Sequence, residues 1–366
     1  MKHRDRVAMA LAHEVPDRCP FYTSYVPEFA ARLQADLGQK GALNTSGREV
    51  HNPHGSGNTY DIERALDQDM LMTNVGWANS YDWPQDRYDD EWGITFQRVK
   101  YTTPFGVGYY TDPVVHPLAD DNAISSYVAP DPNRDELYDH AKMVLERFGD
   151  EYWICGGSVT TVFETSEALR GYENLMADFL TDPDIAEAIL DIPFNYHRVT
   201  AARLARMGVD MIWLGDDIGM QTGMLINPTT WRRFLKPRLA AVIAGIKAEN
   251  PNCYVAYHTD GKVWDVLDEL IEVGVQVLNP IQPAALDPDR LKKEYGGRLM
   301  FWGSVDEQST LPFGTADDVR AETKRRILDL GQGGGLIVGP AQHLQLDTPL
   351  ENFWAMHETI MNTKPR

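Results

Sequence analysis

The chain predicts an α/β protein, a distorted (β/α)8 TIM barrel with a β-rich insertion after its second strand. Three observations carry this: short apolar runs recur along the chain, longer amphipathic segments separate them, and several runs end in polar residues suited to ligand or acid/base work. Continuous apolar runs suit strands buried on both faces, the condition of parallel βα units. Eight such units close into a barrel whose site is built at the carboxyl ends of its strands. A doubly wound sheet is the competitor, but no Gly-x-Gly-x-x-Gly turn follows the first strands.

In chain order the strand candidates are Cys19-Pro20-Phe21-Tyr22, Met70-Leu71-Met72, Trp153-Ile154-Cys155, Met211-Ile212-Trp213-Leu214, Tyr254-Val255-Ala256-Tyr257, Val275-Gln276-Val277-Leu278, Leu299-Met300-Phe301-Trp302 and Leu336-Ile337-Val338. Helical periodicity fills 183–207, 229–250, 262–273, 316–330 and 349–360. Between about 74 and 130 the rhythm changes. Trp77, Trp83, Trp92 and many tyrosines accompany alternation such as Ile94-Thr95-Phe96-Gln97-Arg98-Val99, which reads as an inserted hairpin or small meander. It either lids the barrel mouth or packs as an apron. With no short repeat and no low-complexity linker, residues 1–366 read as one domain with this insertion.

Composition narrows the function. Hydrophobic residues at 43% and aromatics at 10% support a folded core. A formal charge of −20, with the basic residues scattered, argues against a nucleic-acid partner. No window approaches the roughly 18 apolar residues of a spanning helix, so no membrane partner is expected. The opening Met1-Lys2-His3-Arg4-Asp5-Arg6 runs into an apolar stretch too short for a signal peptide, and a cytoplasmic location is expected. Cys19, Cys155 and Cys253 are odd in number and far apart, which leaves no disulfide framework and no Cys-x-x-Cys site.

The chemistry is written at the strand ends. Successive inward residues on a strand are two apart, so His258 and Asp260 point into one site. Other runs end in Asp216-Asp217, Asn279-Pro280-x-Gln282, Ser304-x-Asp306 and Gln342-His343, and a barrel gathers these on one rim. Asp216, Asp217, His258, Asp260 and His343 are the catalytic candidates. Trp92, Gln221, Asn279, Gln282, Ser304, Asp306 and Gln342 are the substrate-binding candidates. His258, Asp260 and His343 would make a three-ligand zinc site, or a site for another divalent metal, with an open fourth position. Proton transfer at a carbon centre suits the same residues. Each also has a structural alternative: Asp216 or Asp217 as a turn cap, Asp306 as an N-cap.

The chain resembles the uroporphyrinogen decarboxylase superfamily from end to end. The resemblance rests on Arg4-x-Arg6 with Ala10-Leu11, Glu14-Val15-Pro16-Asp17-Arg18-Cys19-Pro20, Leu169-Arg170-Gly171, Gly208-Val209-Asp210, His258-Thr259-Asp260-Gly261, Asn279-Pro280-Ile281-Gln282, Gly303-Ser304-Val305-Asp306 and Asp347-Thr348-Pro349-Leu350-Glu351-Asn352. It implies a distorted (β/α)8 barrel and one of two chemistries. True decarboxylases carry an arginine-rich segment where Phe21-Tyr22-Thr23-Ser24-Tyr25 stands here, and Asn74 stands near their central aspartate. The other branch holds methyltransferases that move a methyl group between a corrinoid protein and a thiol or folate acceptor, using zinc. Their zinc motif is His-x-Cys with a second Cys near the last strand.

In this chain His258 matches that histidine, Asp260 replaces the first Cys, and Gln342 or His343 falls at the second. The resulting nitrogen and oxygen set is harder than thiolate and suits oxygen or nitrogen substrates. The resemblance therefore implies a metal-assisted methyltransferase-like enzyme. It would act on a small methylated or methoxylated compound, with a corrinoid (free or on a corrinoid protein) or tetrahydrofolate as methyl partner, and a homodimer is the expected assembly. The alternatives are a decarboxylase of a porphyrinogen or related ring carboxylate, and a non-catalytic barrel that binds a tetrapyrrole or another cofactor.

Overall fold

Seven parallel strands form one curled sheet and three antiparallel strands form a second. The computed structural model describes residues 1–42, 58–75 and 85–366. The parallel strands are β1 (Met70–Asn74), β5 (Trp153–Val159), β6 (Met211–Gly215), β7 (Tyr254–His258), β8 (Val277–Asn279), β9 (Met300–Trp302) and β10 (Leu336–Ile337), each paired with the next in that order. The antiparallel strands β2 (Arg87–Asp89), β3 (Thr95–Thr103) and β4 (Gly106–Val115) follow β1 in sequence and make up the expected β-rich insertion. Trp77 and Trp83 lie outside the described residues.

The first expected strand, 19–22, is reduced to a bridge between Phe21 and Val338, which brings it against the chain just after β10. The reason lies on its other side. Phe21 N–H donates to the Asp69 carboxylate at 2.7 Å and Thr23 N–H to Gln68 Oε1 at 3.0 Å. Beyond one backbone bond, from Asp69 N–H to the Phe21 carbonyl at 2.9 Å, side chains take the place of the ladder toward β1, so the curl closes without an eighth strand. The helix expected over 262–273 begins as a 3₁₀ turn, Trp264–Val266, and becomes α-helical over Leu267–Glu272.

Strand alternation divides the core in two. Inward positions Met70, Met72, Trp153, Cys155, Met211, Trp213, Ala256, Val277, Met300, Trp302 and Ile337 pack together inside the curl. Outward positions such as Leu71, Ile154, Ile212, Leu214, Val255, Tyr257, Leu278 and Phe301 join the helices in the larger outer core. The helix Pro183–Met207 shows how that layer is encoded. Asp182 accepts from Ile185 N–H at its start, Pro183 occupies its first turn, and Gly208 ends it at φ +97°. Its buried face includes Ala186, Ile189, Leu190, Ala201 and Leu204.

The amino end of the barrel is stoppered. Val7 and Leu11 of the helix His3–Leu11 pack against the inward residues. Buried carboxylates hold that helix down. Asp69 accepts from Arg6, Arg18 and His3, and Asp210 accepts from Arg4 and from Ile154 N–H. The Arg4-x-Arg6 pair, Arg18 and Asp210 are thus partners in one structure, although about 200 residues separate Arg4 from Asp210. All three cysteines are buried and free, and loss of hydration pushes the Cys19 and Cys253 thiols up to about 12.

Candidate active site

Strand phase decides which strand-end residues meet. On β7, Ala256 faces inward, and so, two and four residues on, do His258 and Asp260. On β6, Trp213 faces inward and the same phase reaches Asp217, which leaves Asp216 turned outward. One ligand atom from each of Asp217, His258 and Asp260 lies within 4.8 Å of the other two. His258 Nε2 stands 3.7 Å from Asp217 Oδ1. Asp260 N–H donates to Asp217 Oδ1 at 2.7 Å, and Gln342 Nε2 donates to Asp260 Oδ2 at 3.2 Å. Asp260 Oδ1 is buried and has no hydrogen-bond partner.

Close strand packing makes this possible. A Cβ on Gly215 would lie 2.4 Å from the His258 carbonyl oxygen and 2.5 Å from His258 Cβ. Gly215 pairs directly with His258 across β6 and β7, so any side chain there would push the histidine away. Gly261, at φ +83°, turns the chain just after Asp260, and Gln282 Oε1 accepts its N–H at 2.8 Å.

A small cavity adjoins His258, the one of the three ligand candidates on its wall. It is lined by Tyr22, Thr23, Ser24, Trp213, His258, Asn279, Trp302 and residues 340–343, and it opens to solvent. Aromatic faces make its walls: the Tyr22 and Trp302 rings meet edge to face at 5.1 Å, and Trp213 lies 5.7 Å from Trp302. Trp213 also meets the His258 ring at 5.2 Å. Asn279 reaches His258 Nδ1 at 2.8 Å. His343 lines the same cavity but stands outside the group of three, with Nδ1 2.5 Å from Ser24 Oγ.

Other expected site residues have structural work. Asp216 accepts from Val162 N–H at 3.0 Å and Glu164 N–H at 3.1 Å, which caps the helix Phe163–Arg170, and burial pushes its carboxyl up to about 7. The cap alternative therefore holds for Asp216, although the helix is the one after β5. Asp306 accepts from Gln308 N–H at 2.9 Å and from Thr310 N–H at 3.3 Å, at the start of the short helix Thr310–Phe313, whose N-cap position is Ser309 rather than Asp306. Ser304 is fully buried, with N–H bonded to Gly339 and carbonyl bonded to Arg326. Gln221 reaches Gln308 at the exposed rim. Trp92 lies in the outer layer, edge to face with Tyr196 at 5.0 Å and stacked on His197. That position gives it no wall of the cavity.

The sequence reading missed two carboxylates near the rim. Glu164 Oε2 accepts Asp217 N–H at 3.2 Å, and its carboxyl is pushed well above the usual range by burial and then by the charges of Asp217 and Asp216. Glu307 has a buried, unpartnered Oε2 and is raised by burial and by Asp260, Asp306 and Asp347. Burial also raises Asp260, with the neighbouring Asp217 charge adding to it and His258 opposing it. Excess negative charge with so few cations fits a site that receives a positive group.

A parallel, curled β/α barrel with an imidazole and carboxylates converging at the strand carboxyl ends defines an enzyme-like barrel. The uroporphyrinogen decarboxylase (URO-D) family model matches residues 95–363, and the chain belongs to this family. It is similar to a methylated-thiol–coenzyme M methyltransferase of Methanosarcina mazei, at 26% identity over 204 residues. That match covers 54% of this chain and 50% of the relative, so the chain spans about half the length of the curated relative. In three dimensions it resembles a methyltransferase from Methanosarcina mazei, with a TM-score of 0.69 at 19% identity over 99% of this chain and 98% of the other. That likeness bears on the fold. Among the described residues no helix is long and apolar enough to cross a membrane.

Proposed function

We propose that the protein is a methyltransferase that moves a methyl group between a small methylated or methoxylated compound, or a corrinoid, and an acceptor, with a divalent cation at Asp217, His258 and Asp260. One observation carries the reading: a nitrogen and carboxylate oxygens converge at the strand ends, and one of those oxygens, Asp260 Oδ1, is buried without a partner. A buried, unpaired carboxylate oxygen is costly, and a cation beside it removes the cost. This donor set fits zinc or another divalent ion with room for an acceptor ligand. When bound, such an ion acts as a Lewis acid that lowers the pKa of a coordinated acceptor group.

The chain's own residues have separate duties in this reading. Gln342 and the Asp260 N–H orient the two carboxylates. Tyr22, Trp213 and Trp302 exclude water and give the methyl-bearing group an apolar wall. The Ser24 and His343 pair carries a proton between Oγ and Nδ1 at the cavity edge. No lysine or arginine appears among the described residues lining the cavity, which favours methyl transfer over decarboxylation of a polyanionic ring. A corrinoid protein or tetrahydrofolate is the proposed methyl partner, and a homodimer in the cytoplasm the proposed setting.

The test combines elemental analysis of the purified protein with a transfer assay. Near-stoichiometric divalent metal, lost in His258→Ala and Asp260→Ala, together with methyl transfer by the wild type and not by those variants, from methylcobalamin to added tetrahydrofolate or from a methoxylated aromatic to added cob(I)alamin, is the expected result. A wild-type protein that binds no divalent metal on titration overturns the metal-assisted reading.

A further inference from the structure

We infer that Asn279 is a positioning residue: oriented by the Trp213 indole, it holds the His258 proton on Nδ1 and so turns the Nε2 lone pair toward Asp217 and Asp260. This deepens the proposed function but stands on hydrogen-bond geometry independent of it.

The Trp213 indole N–H is a donor and nothing else, and it reaches Asn279 Oδ1 at 3.0 Å. The other branch of the amide, Nδ2, donates to the Trp302 carbonyl at 3.3 Å. A flipped amide would set N–H against N–H at Trp213 and oxygen against oxygen at Trp302. Both contacts reject the flip, so the amide orientation is determined by its neighbours. His258 Nδ1, 2.8 Å from that same Oδ1, therefore meets an acceptor and must carry the proton.

The consequence falls on the opposite side of the ring. With Nδ1 protonated, neutral His258 presents a bare lone pair at Nε2, the atom 3.7 Å from Asp217 Oδ1. Isolated histidine prefers the other tautomer, with the proton on Nε2. That form would place an N–H where a ligand atom is wanted. A partner on the far ring nitrogen fixes tautomer and orientation in many metal-binding histidines, and loss of such a partner weakens the site roughly 10- to 100-fold. Here three strands supply the device: Trp213 lies near the end of β6, His258 ends β7 and Asn279 ends β8. Asn279 was expected to touch substrate; it lines the cavity, and its amide groups bond to Trp213, His258 and Trp302.

The test reads the tautomer directly. Metal-free protein labelled with nitrogen-15 at histidine is examined by NMR at alkaline pH, where imidazoles are neutral, and His258→Ala assigns the signal. The expected wild-type signal is an Nδ1–H imidazole at His258, shifting toward Nε2–H in Asn279→Leu. An Nε2–H signal in the wild type overturns the inference, whether or not metal binds. Zinc competition titration gives the second readout: binding roughly 10- to 100-fold weaker in Asn279→Leu and retained in Asn279→Asp, which keeps the acceptor. Equal affinity in wild type and Asn279→Leu overturns it. Trp213→Phe, which frees the amide to flip without opening the strand end, is expected to fall between the two.

Discussion

Asp217 accepts the backbone N–H of Asp260 at 2.7 Å, so a carboxylate at the end of β6 fixes the path of the chain leaving β7. The two carboxylates are thereby held together although like charges repel, and His258 sits within reach of both. The expectation is that Asp217→Ala disturbs two things at once, the charge facing His258 and the path of the 258–261 turn. Asp217→Asn, which keeps an acceptor oxygen, should preserve the fold and melting temperature while reducing divalent-metal affinity by isothermal titration. Unchanged affinity in Asp217→Asn would remove Asp217 from the ligand set.

Gln342 acts on the same site at one remove, through its bond to Asp260 Oδ2. Gln342→Ala is expected to weaken metal binding roughly 10- to 100-fold with little change in thermal stability. Competition with a fluorescent zinc chelator measures it, and a change under twofold would make the contact incidental.

Gly215 offers a prediction about packing. The 2.4 Å approach to the His258 carbonyl leaves no room for a methyl group, and the obstacle is backbone. Gly215→Ala should therefore cost about 1–3 kcal/mol and shift His258 with it. Thermal melting and the metal titration should both respond; a variant as stable as wild type and with full affinity would show that the close approach of the two strands does not set the histidine's place.

His197 sets a pH dependence away from the site. Buried between Trp92 and Ser158, it is lowered to about 3 by loss of hydration. An unfolded chain protonates it near pH 6.5 and the folded chain does not, so between about 6.5 and 3 the unfolded state binds the extra proton. Stability from this group is full above pH 6.5 and is lost as pH falls. His197→Gln should flatten the fall in urea-unfolding free energy between pH 7 and 5 relative to wild type, whatever its stability at pH 7. Parallel curves for the two proteins would mean that His197 is not held neutral.

Asp69 tests the stopper. It is fully buried and accepts from Arg6, Arg18 and the Phe21 N–H. Asp69→Ala leaves Arg6 with Asp17 alone and Arg18 with Asp67 alone, takes the acceptor from the Phe21 N–H, and should cost about 1–3 kcal/mol. Denaturant unfolding reads it, and a loss under about 1 kcal/mol would show the cluster to be dispensable.

The barrel was legible because its strands are buried on both faces and so stand out as apolar runs. The same property hid the finer detail. A strand apolar on both faces carries no alternation, so nothing in Met211-Ile212-Trp213-Leu214 tells which of Asp216 and Asp217 turns inward. His258 and Asp260 escaped that ambiguity because their spacing of two puts them on the same face in either phase. His343 was found as a cavity residue, but the group of three formed around Asp217. Glu164 was missed because it comes from a helix rather than a strand end. Trp92 was misplaced because an insertion's periodicity says nothing about the side of the barrel on which it packs.

The helix His3–Leu11 leaves the curl with a floor of Val7 and Leu11 beneath the inward side chains. Among the described residues that floor closes the base, and the doorway beside the cavity lies at the other end. Under the proposed reaction, the molecule that gives up a methyl group and the one that receives it share that doorway. A bulky donor has to withdraw before a second guest enters, and the barrel's own architecture then imposes a timetable on turnover.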